Sequence, residues 1–164
     1  MNENNKADAF ENVKAQIGYC GIWCGSCIVG NGTLREMTEK YKDLMDAYSL
    51  KDWGPKDIDF AQFYKGLESI QNMDLCAGCP KGGGKDNCEM RNCAKEKDLE
   101  NCTFCDDFEQ CKNTDILKHM RSGALAAGLY VLSKSENKKE FIKQKYAELK
   151  SRWPCCILFM NGQS

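Results

Sequence analysis

The sequence predicts a mainly α protein with irregular, cysteine-rich metal-binding loops and little β structure. Three observations carry that expectation. Twelve Cys occur in 164 residues, and they cluster: three in residues 20–27, seven in residues 76–111, and an adjacent pair at Cys155 and Cys156. The cysteine-free stretches between them place apolar residues three and four apart, the period of a helix face. Only three Val are present, too few for a large sandwich or parallel sheet. Ile, Leu, Val and Phe together make 30 residues, or 18% of the chain, a thin supply for a core. The net charge of −1 nevertheless argues against disorder.

The elements follow in order. Residues 1–16 are polar and predict a frayed, flexible tail. Residues 17–112 form the cysteine-rich metal-binding domain, and residues 113–164 a C-terminal helical pair packed on it. Leu34, Met37, Tyr41, Leu44, Met45 and Tyr48 predict a helix over 33–48, opened by a Thr33/Glu36 capping box. Phe60, Phe63, Leu67 and Ile70 mark a second helix after Pro55. Both stripes read as core. The cysteine-rich stretches read as loops and knuckles. A third helix runs from about Thr114, capped by Thr114 or Asn113, to Leu132, weakened by the Gly-containing stretch at 123–128. A fourth starts near Glu136, turns Phe141, Ile142, Tyr146, Leu149 and Trp153 inward, and stops at Trp153-Pro154.

Charge is uneven along the chain. Residues 112–164 hold 10 Lys+Arg against 4 Asp+Glu, a net +6, which leaves −7 for the remainder. The basic helices offer a surface for an anionic protein partner or for the acidic half of the same fold; a solvated helix face is the plainer reading. A slightly acidic chain has no nucleic-acid footprint. No apolar run is long enough to span a membrane. No secretory signal is visible, so a cytoplasmic location is expected, where thiols stay reduced and clustered Cys serve metal or redox chemistry.

The cysteine spacing carries the chemistry. The central array is Cys76-x2-Cys79-x8-Cys88-x4-Cys93-x8-Cys102-x2-Cys105-x5-Cys111, and Cys20, Cys24 and Cys27 precede it. Two thiolates separated by two residues can hold one ion, because the tight turn aims both sulfurs inward. Zinc takes four such ligands, commonly as two pairs, and Cys24/Cys27, Cys76/Cys79 and Cys102/Cys105 are three ready pairs. Seven Cys in polar, Gly- and Lys-rich surroundings do not resemble core filling. The segment Pro80–Lys85 lacks the Gly-Lys-Ser/Thr ending of a phosphate loop and reads as a connection between knuckles. The Cys-x3-Cys-x2-Cys spacing of Cys20, Cys24 and Cys27 also matches the cluster loop of radical S-adenosylmethionine enzymes, but helices rather than barrel elements are expected to follow. Cys155 and Cys156 read by default as buried thiols.

The motifs Tyr19-Cys-Gly-Ile-Trp-Cys-Gly-Ser-Cys27, Cys76-Ala-Gly-Cys79, Cys88-Glu-Met-Arg-Asn-Cys93 and Cys102-Thr-Phe-Cys105 through Cys111 resemble, in order and spacing, domain-of-unknown-function family 3795. The likeness spans about residues 17–112. It implies a cysteine-rich bacterial or archaeal protein whose set is Cys20, Cys24, Cys27, Cys76, Cys79, Cys88, Cys93, Cys102, Cys105 and Cys111. It implies no activity.

Structural zinc is the first expectation, in a small helical binding, interaction or sensing module. Zinc contributes on the order of 10 kcal/mol or more to the folding of small metal-dependent domains, which would offset the thin aliphatic core. The alternative is an iron–sulfur protein, with a 4Fe-4S cluster on Cys20, Cys24, Cys27 and one distant Cys, for electron transfer or redox sensing. A thiol redox enzyme using Cys24/Cys27 or Cys155/Cys156 ranks third, since Trp23–Cys27 is superficially similar to the thioredoxin active site but no matching sheet is expected. His119 is the single imidazole, and no catalytic constellation can be argued from spacing, so the sequence weighs against an enzyme. Metal removal is expected to unfold residues 17–112 more than the C-terminal helices.

Overall fold

The computed structural model describes residues 4–151. Trp153, Pro154, Cys155 and Cys156 lie outside the described residues, and with them the expected stop of the last helix. Within the described chain are seven α-helices: α1 (Asn4–Val13), α2 (Thr33–Ala47), α3 (Leu50–Trp53), α4 (Phe60–Gln71), α5 (Glu89–Glu96), α6 (Thr114–Ala126) and α7 (Lys138–Ser151). Four single 3-10 turns, Cys24–Ser26, Cys79–Lys81, Cys102–Phe104 and Phe108–Gln110, punctuate the cysteine-rich loops. The only β pairing among the described residues is two isolated antiparallel bridges, Ile17 with Trp23 and Ile22 with Val131. The protein is mainly helical with almost no strand, as its composition implies. No helix of the described residues is long and apolar enough to cross a membrane.

The main core is built as much from aromatic as from aliphatic side chains. Phe10, Ile17, Trp23, Leu132, Phe141 and Leu149 form one buried cluster, with Tyr130, Ile142 and Tyr146 against it. Phe10 meets Trp23 edge-on at 6.5 Å and stacks on Tyr146 at 5.5 Å. Large rings bury much area per residue, and this is how so few aliphatic side chains suffice. The expected frayed start is therefore corrected: residues 4–13 are helix α1, and Ala9, Phe10 and Val13 are buried. The cluster joins residues 10–23 to residues 130–149, so the C-terminal helix shares its core with the first cysteine loop.

Trp23 organises that loop. It is fully buried, and its Nε1 donates to the Lys14 carbonyl at 2.7 Å, satisfying an acceptor just beyond α1. Gly25 lets the indole lie across the backbone, because a Cβ there would come within 2.6 Å of the ring. Residues 128–132 complete the frame. Helix α6 ends at Ala126, not at Leu132 as its apolar pattern suggests. Gly128 adopts φ +82, its N–H bonds to the Leu125 carbonyl, and the Leu129 N–H bonds to the Ala124 carbonyl, a Schellman stop. The chain so released runs back beside the loop, with Trp23 N–H on the Tyr130 carbonyl and Leu132 N–H on the Gly21 carbonyl.

Helices α2 and α4 pair as a separate hairpin. Tyr41 meets Phe63 edge-on at 6.3 Å, and Tyr64 Oη donates to Asp46 at 2.6 Å. Met45 and Leu67 are buried, but Tyr41, Leu44 and Tyr48 are exposed, so the stripe expected as core is only partly one. A single partner helix covers about half of it. The Thr33/Glu36 capping box does not form either. Gly32 occupies the N-cap, and Asn31 Oδ1 accepts from the Thr33 N–H. The basic C-terminal residues meet the acidic middle of the chain: Lys138 pairs with Glu100, and Lys134 lies 3.9 Å from Asp106.

Candidate metal centres

Most of the cysteines sit at the ends of elements; Cys20 and Cys76 lie in loops and Cys93 within a helix. Cys24 opens a 3-10 turn that Cys27 closes, the Cys27 N–H bonding to the Cys24 carbonyl at 3.1 Å. Cys102 and Cys105 repeat this arrangement, at 3.3 Å. Cys79 opens the turn Cys79–Lys81 and Pro80 follows as its second residue, still in the first turn, where a missing N–H is harmless. Cys111 closes the turn Phe108–Gln110. Cys88 is the N-cap of α5, and Cys93 lies within that helix. Helix α5 corrects the expectation of loops alone through this stretch. Eight residues with Met90, Arg91 and Ala94 on the buried side are too short for periodicity to announce.

Tertiary folding sorts these residues into two neighbourhoods. In the first, Cys20 and Cys24 from the opening loop meet Cys76 and Cys79. Burial pushes the Cys24 thiol up to about 11; the Cys79 backbone N–H opposes the shift, and the thiols of Cys79, Cys20 and Cys76 add to it. Burial also raises Cys20, against the Ile22 N–H and the charge of Arg121, with Cys79 adding to the rise. The Gly18 position lies between Cys79 and Cys20, and a Cβ on Gly83 would sit 2.6 Å from Cys76 Sγ.

In the second neighbourhood, Cys93, Cys102, Cys105 and Cys111 line one small cavity of about 20 Å³ with Leu99, Phe108 and Leu117. Burial again dominates: it lifts Cys102 to about 11, with Cys93, Cys20 and Cys111 adding and Arg121 opposing. Lys97 Nζ stands 3.9 Å from Cys105 Sγ, and the Asn113 N–H points at Cys111 Sγ from 3.5 Å. Tyr19 stitches the two neighbourhoods together by accepting the Cys102 N–H at 2.7 Å.

Cys27 and Cys88 do not line that cavity. Cys88 is buried with Met90 and Leu117 in a second apolar cluster, against which Cys20 and Cys102 also pack. The ten cysteines among the described residues are free thiols. Among the described residues, no group of three or more His, Cys, Asp or Glu is closed to the spacing of a bound ion. His119 is exposed on α6 and joins neither group.

Sequence reasoning missed Arg121. Its Nε donates to the Cys20 carbonyl at 2.7 Å, its guanidinium lies 5.1 Å over the Phe108 ring, and its charge acts on both Cys20 and Cys102. A single Arg on a basic helix gives no signal of this. Nothing in its spacing to Cys20, 101 residues away, announces the contact.

No curated protein and no solved structure matches the chain. A family model described as a protein of unknown function, DUF3795, matches residues 16–116, well over half of the sequence, a span that contains all ten cysteines from Cys20 to Cys111. By that match, the chain belongs to the DUF3795 family of cysteine-rich proteins of unknown function.

Proposed function

We propose that this is a metal-binding protein, organised by thiolate-held zinc, that serves as a small helical binding, interaction or sensing module. The observation that carries the reading is the first cysteine group. Cys20 and Cys24 come from one loop, and Cys76 and Cys79 from another some fifty residues on, yet the Cys79 thiol acts on both Cys20 and Cys24, the Cys76 thiol acts on Cys24, and the Cys79 backbone N–H reaches the Cys24 sulfur. Burial makes the Cys20 and Cys24 thiols costly to ionise alone. A divalent ion supplies the charge that makes four thiolates stable together, and zinc accepts them tetrahedrally at about 2.3 Å.

The backbone supports the same reading. N–H groups of Ile22 and Cys79 are directed at Cys20 and Cys24. Such donors stabilise thiolate, and hydrogen bonds to a ligand from the surrounding protein hold it in the orientation a metal needs. The basic face of the C-terminal helices is the proposed surface for a protein partner.

Elemental analysis of the full chain, purified without added metal and without chelator, tests the proposal. Near-stoichiometric zinc is the expected result. A colourless protein free of transition metal would overturn it, and anaerobic visible absorbance with bound sulfide would replace zinc by an iron–sulfur cluster.

A further inference from the structure

The second cysteine neighbourhood supports more than a packing role. Four thiols from three successive elements face one cavity: Cys93 from α5, Cys102 and Cys105 from a single 3-10 turn, and Cys111 from the end of the next. Buried free Cys are common as small apolar fillers, and Cys88 nearby illustrates that use. A filler does not recruit cations. Here Lys97 Nζ lies 3.9 Å from Cys105 Sγ while it also pairs with Asp107 at 2.7 Å. Arg121 stacks over Phe108, a wall of the cavity, and its Nη2 is buried with no hydrogen-bond partner. An unpaired buried guanidinium N–H is expensive, and it is explained if negative charge gathers close by.

Size narrows the occupant. About 20 Å³ accommodates roughly one water-sized sphere. That suits a single ion. A cube of four irons and four sulfides requires several times the room. Ligand type narrows it further: four soft thiolates and no carboxylate or imidazole select zinc or a similar thiophilic ion over calcium, magnesium or manganese. A divalent ion with four thiolates leaves a net charge of about −2; Lys97, which also pairs with Asp107, and Arg121, which also bonds the Cys20 carbonyl and acts on Cys102, are cations close to it. The apolar wall of Leu99, Phe108 and Leu117 keeps water away and strengthens those attractions.

We propose that Cys93, Cys102, Cys105 and Cys111 form a second, mononuclear zinc-type site, distinct from the Cys20/Cys24/Cys76/Cys79 centre. Binding exchanges thiol protons for the ion, with no change of oxidation state. The proposal rests on the reading of the protein as a thiolate metal protein, but it makes its own count.

The test is zinc content and cobalt(II) substitution of the full chain, with two double variants. The wild type should hold two zinc ions per chain. Cys76→Ser/Cys79→Ser should hold one, and Cys102→Ser/Cys105→Ser should hold one. Cobalt should give tetrahedral thiolate spectra at both sites. One zinc per chain, kept in full by Cys102→Ser/Cys105→Ser, overturns the second site and leaves the first centre standing; no zinc in the wild type overturns both. Should a variant fail to fold, native alkylation of the wild type decides. Cys93, Cys102, Cys105 and Cys111 should be protected until chelator is added. Equal labelling of these four with and without zinc overturns the site.

Discussion

Arg121 Nε donates to the carbonyl of Cys20 at 2.7 Å, joining α6 to the first cysteine loop across 101 residues of sequence. The guanidinium is half-buried, and burial together with the nearby Cys20 and Cys102 thiols sets its environment. Arg121→Met keeps much of the stacking on Phe108 but removes the charge and the hydrogen bond. Hydrogen bonds to charged groups are worth about 1.5–3 kcal/mol, so the variant should lose stability of that size in chemical denaturation. Arg121→Lys should recover little, because a point charge cannot reproduce the fork. Wild-type stability in both variants would refute the joint.

Trp23 is the most deeply buried large side chain, and it touches Phe10 and Tyr130. Trp23→Ala should reduce stability by about 3–5 kcal/mol, enough to unfold a thin-core chain at ordinary temperature. Trp23→Phe should be milder, about 1–3 kcal/mol, because it leaves the Lys14 carbonyl without its indole donor. Gly25→Ala should also destabilise, since its Cβ would press on the indole. Thermal melts followed by circular dichroism rank all three.

Metal-free and metal-loaded protein should respond to pH in opposite directions. Burial holds the Cys24 and Cys102 thiols near 11 against an ordinary value of 9.0. A thiol raised in the folded state favours folding below pH 9 and loses that contribution as pH rises from 9 towards 11, so the metal-free chain should weaken in alkali. The metal-loaded chain should weaken in acid, where protons compete for the same sulfurs. Denaturation midpoints between pH 5 and 11, with and without chelator, give the two slopes. Parallel slopes would count against thiolate-bound metal.

Metal removal should also disturb the C-terminal helix. Phe141 and Leu149 of α7 pack with Ile17 and Trp23, and Trp23 adjoins Cys24. Hydrogen exchange after chelation should therefore show lost protection in α7 as well as in residues 17–112, rather than in the latter alone. The α2–α4 hairpin has its own contacts and should change less.

Tyr64 reports on that hairpin. Its hydroxyl donates to Asp46, and this bond, with slight desolvation and the nearby carboxylate, raises the phenol to about 12 from 10.0. The raised value means that the bond favours folding below pH 10 and stops doing so as pH approaches 12. Ultraviolet titration of the tyrosines should show one late phenol, and Asp46→Asn should bring it back towards 10.

Much of this protein was legible in its residues because the relevant physics is local. Helical period marked α2, α4, α6 and α7, and Cys-x2-Cys spacing marked Cys24/Cys27 and Cys102/Cys105, where the structure has 3-10 turns closed by the second thiol. Cys76/Cys79 is the third such pair, and its turn begins at Cys79. The same signals failed where neighbours decide. A short, polar sequence became helix α1 because Phe10 and Val13 found a core to enter, and α5 formed because one small face was covered. Tyr41, Leu44 and Tyr48 repeat like core residues but are exposed, since periodicity records a face and not whether anything covers it.

Composition and spacing established a helical, cysteine-rich chain with ten ordered thiols, because turn chemistry and side-chain type are properties of the chain itself. Only the tertiary structure brought Cys20 and Cys24 to Cys79, and set Cys93, Cys102, Cys105 and Cys111 around one cavity. Cys24 lies nearer in sequence to Cys27 than to Cys79, yet it is the Cys79 N–H that reaches its sulfur. Cys88 and Cys93 share one helix, yet one packs with Met90 and the other faces the cavity. Which thiols meet depends on where Gly128 ends α6 and how Trp23 and Arg121 draw distant loops together, and those are contacts between residues up to about a hundred positions apart that no local pattern encodes.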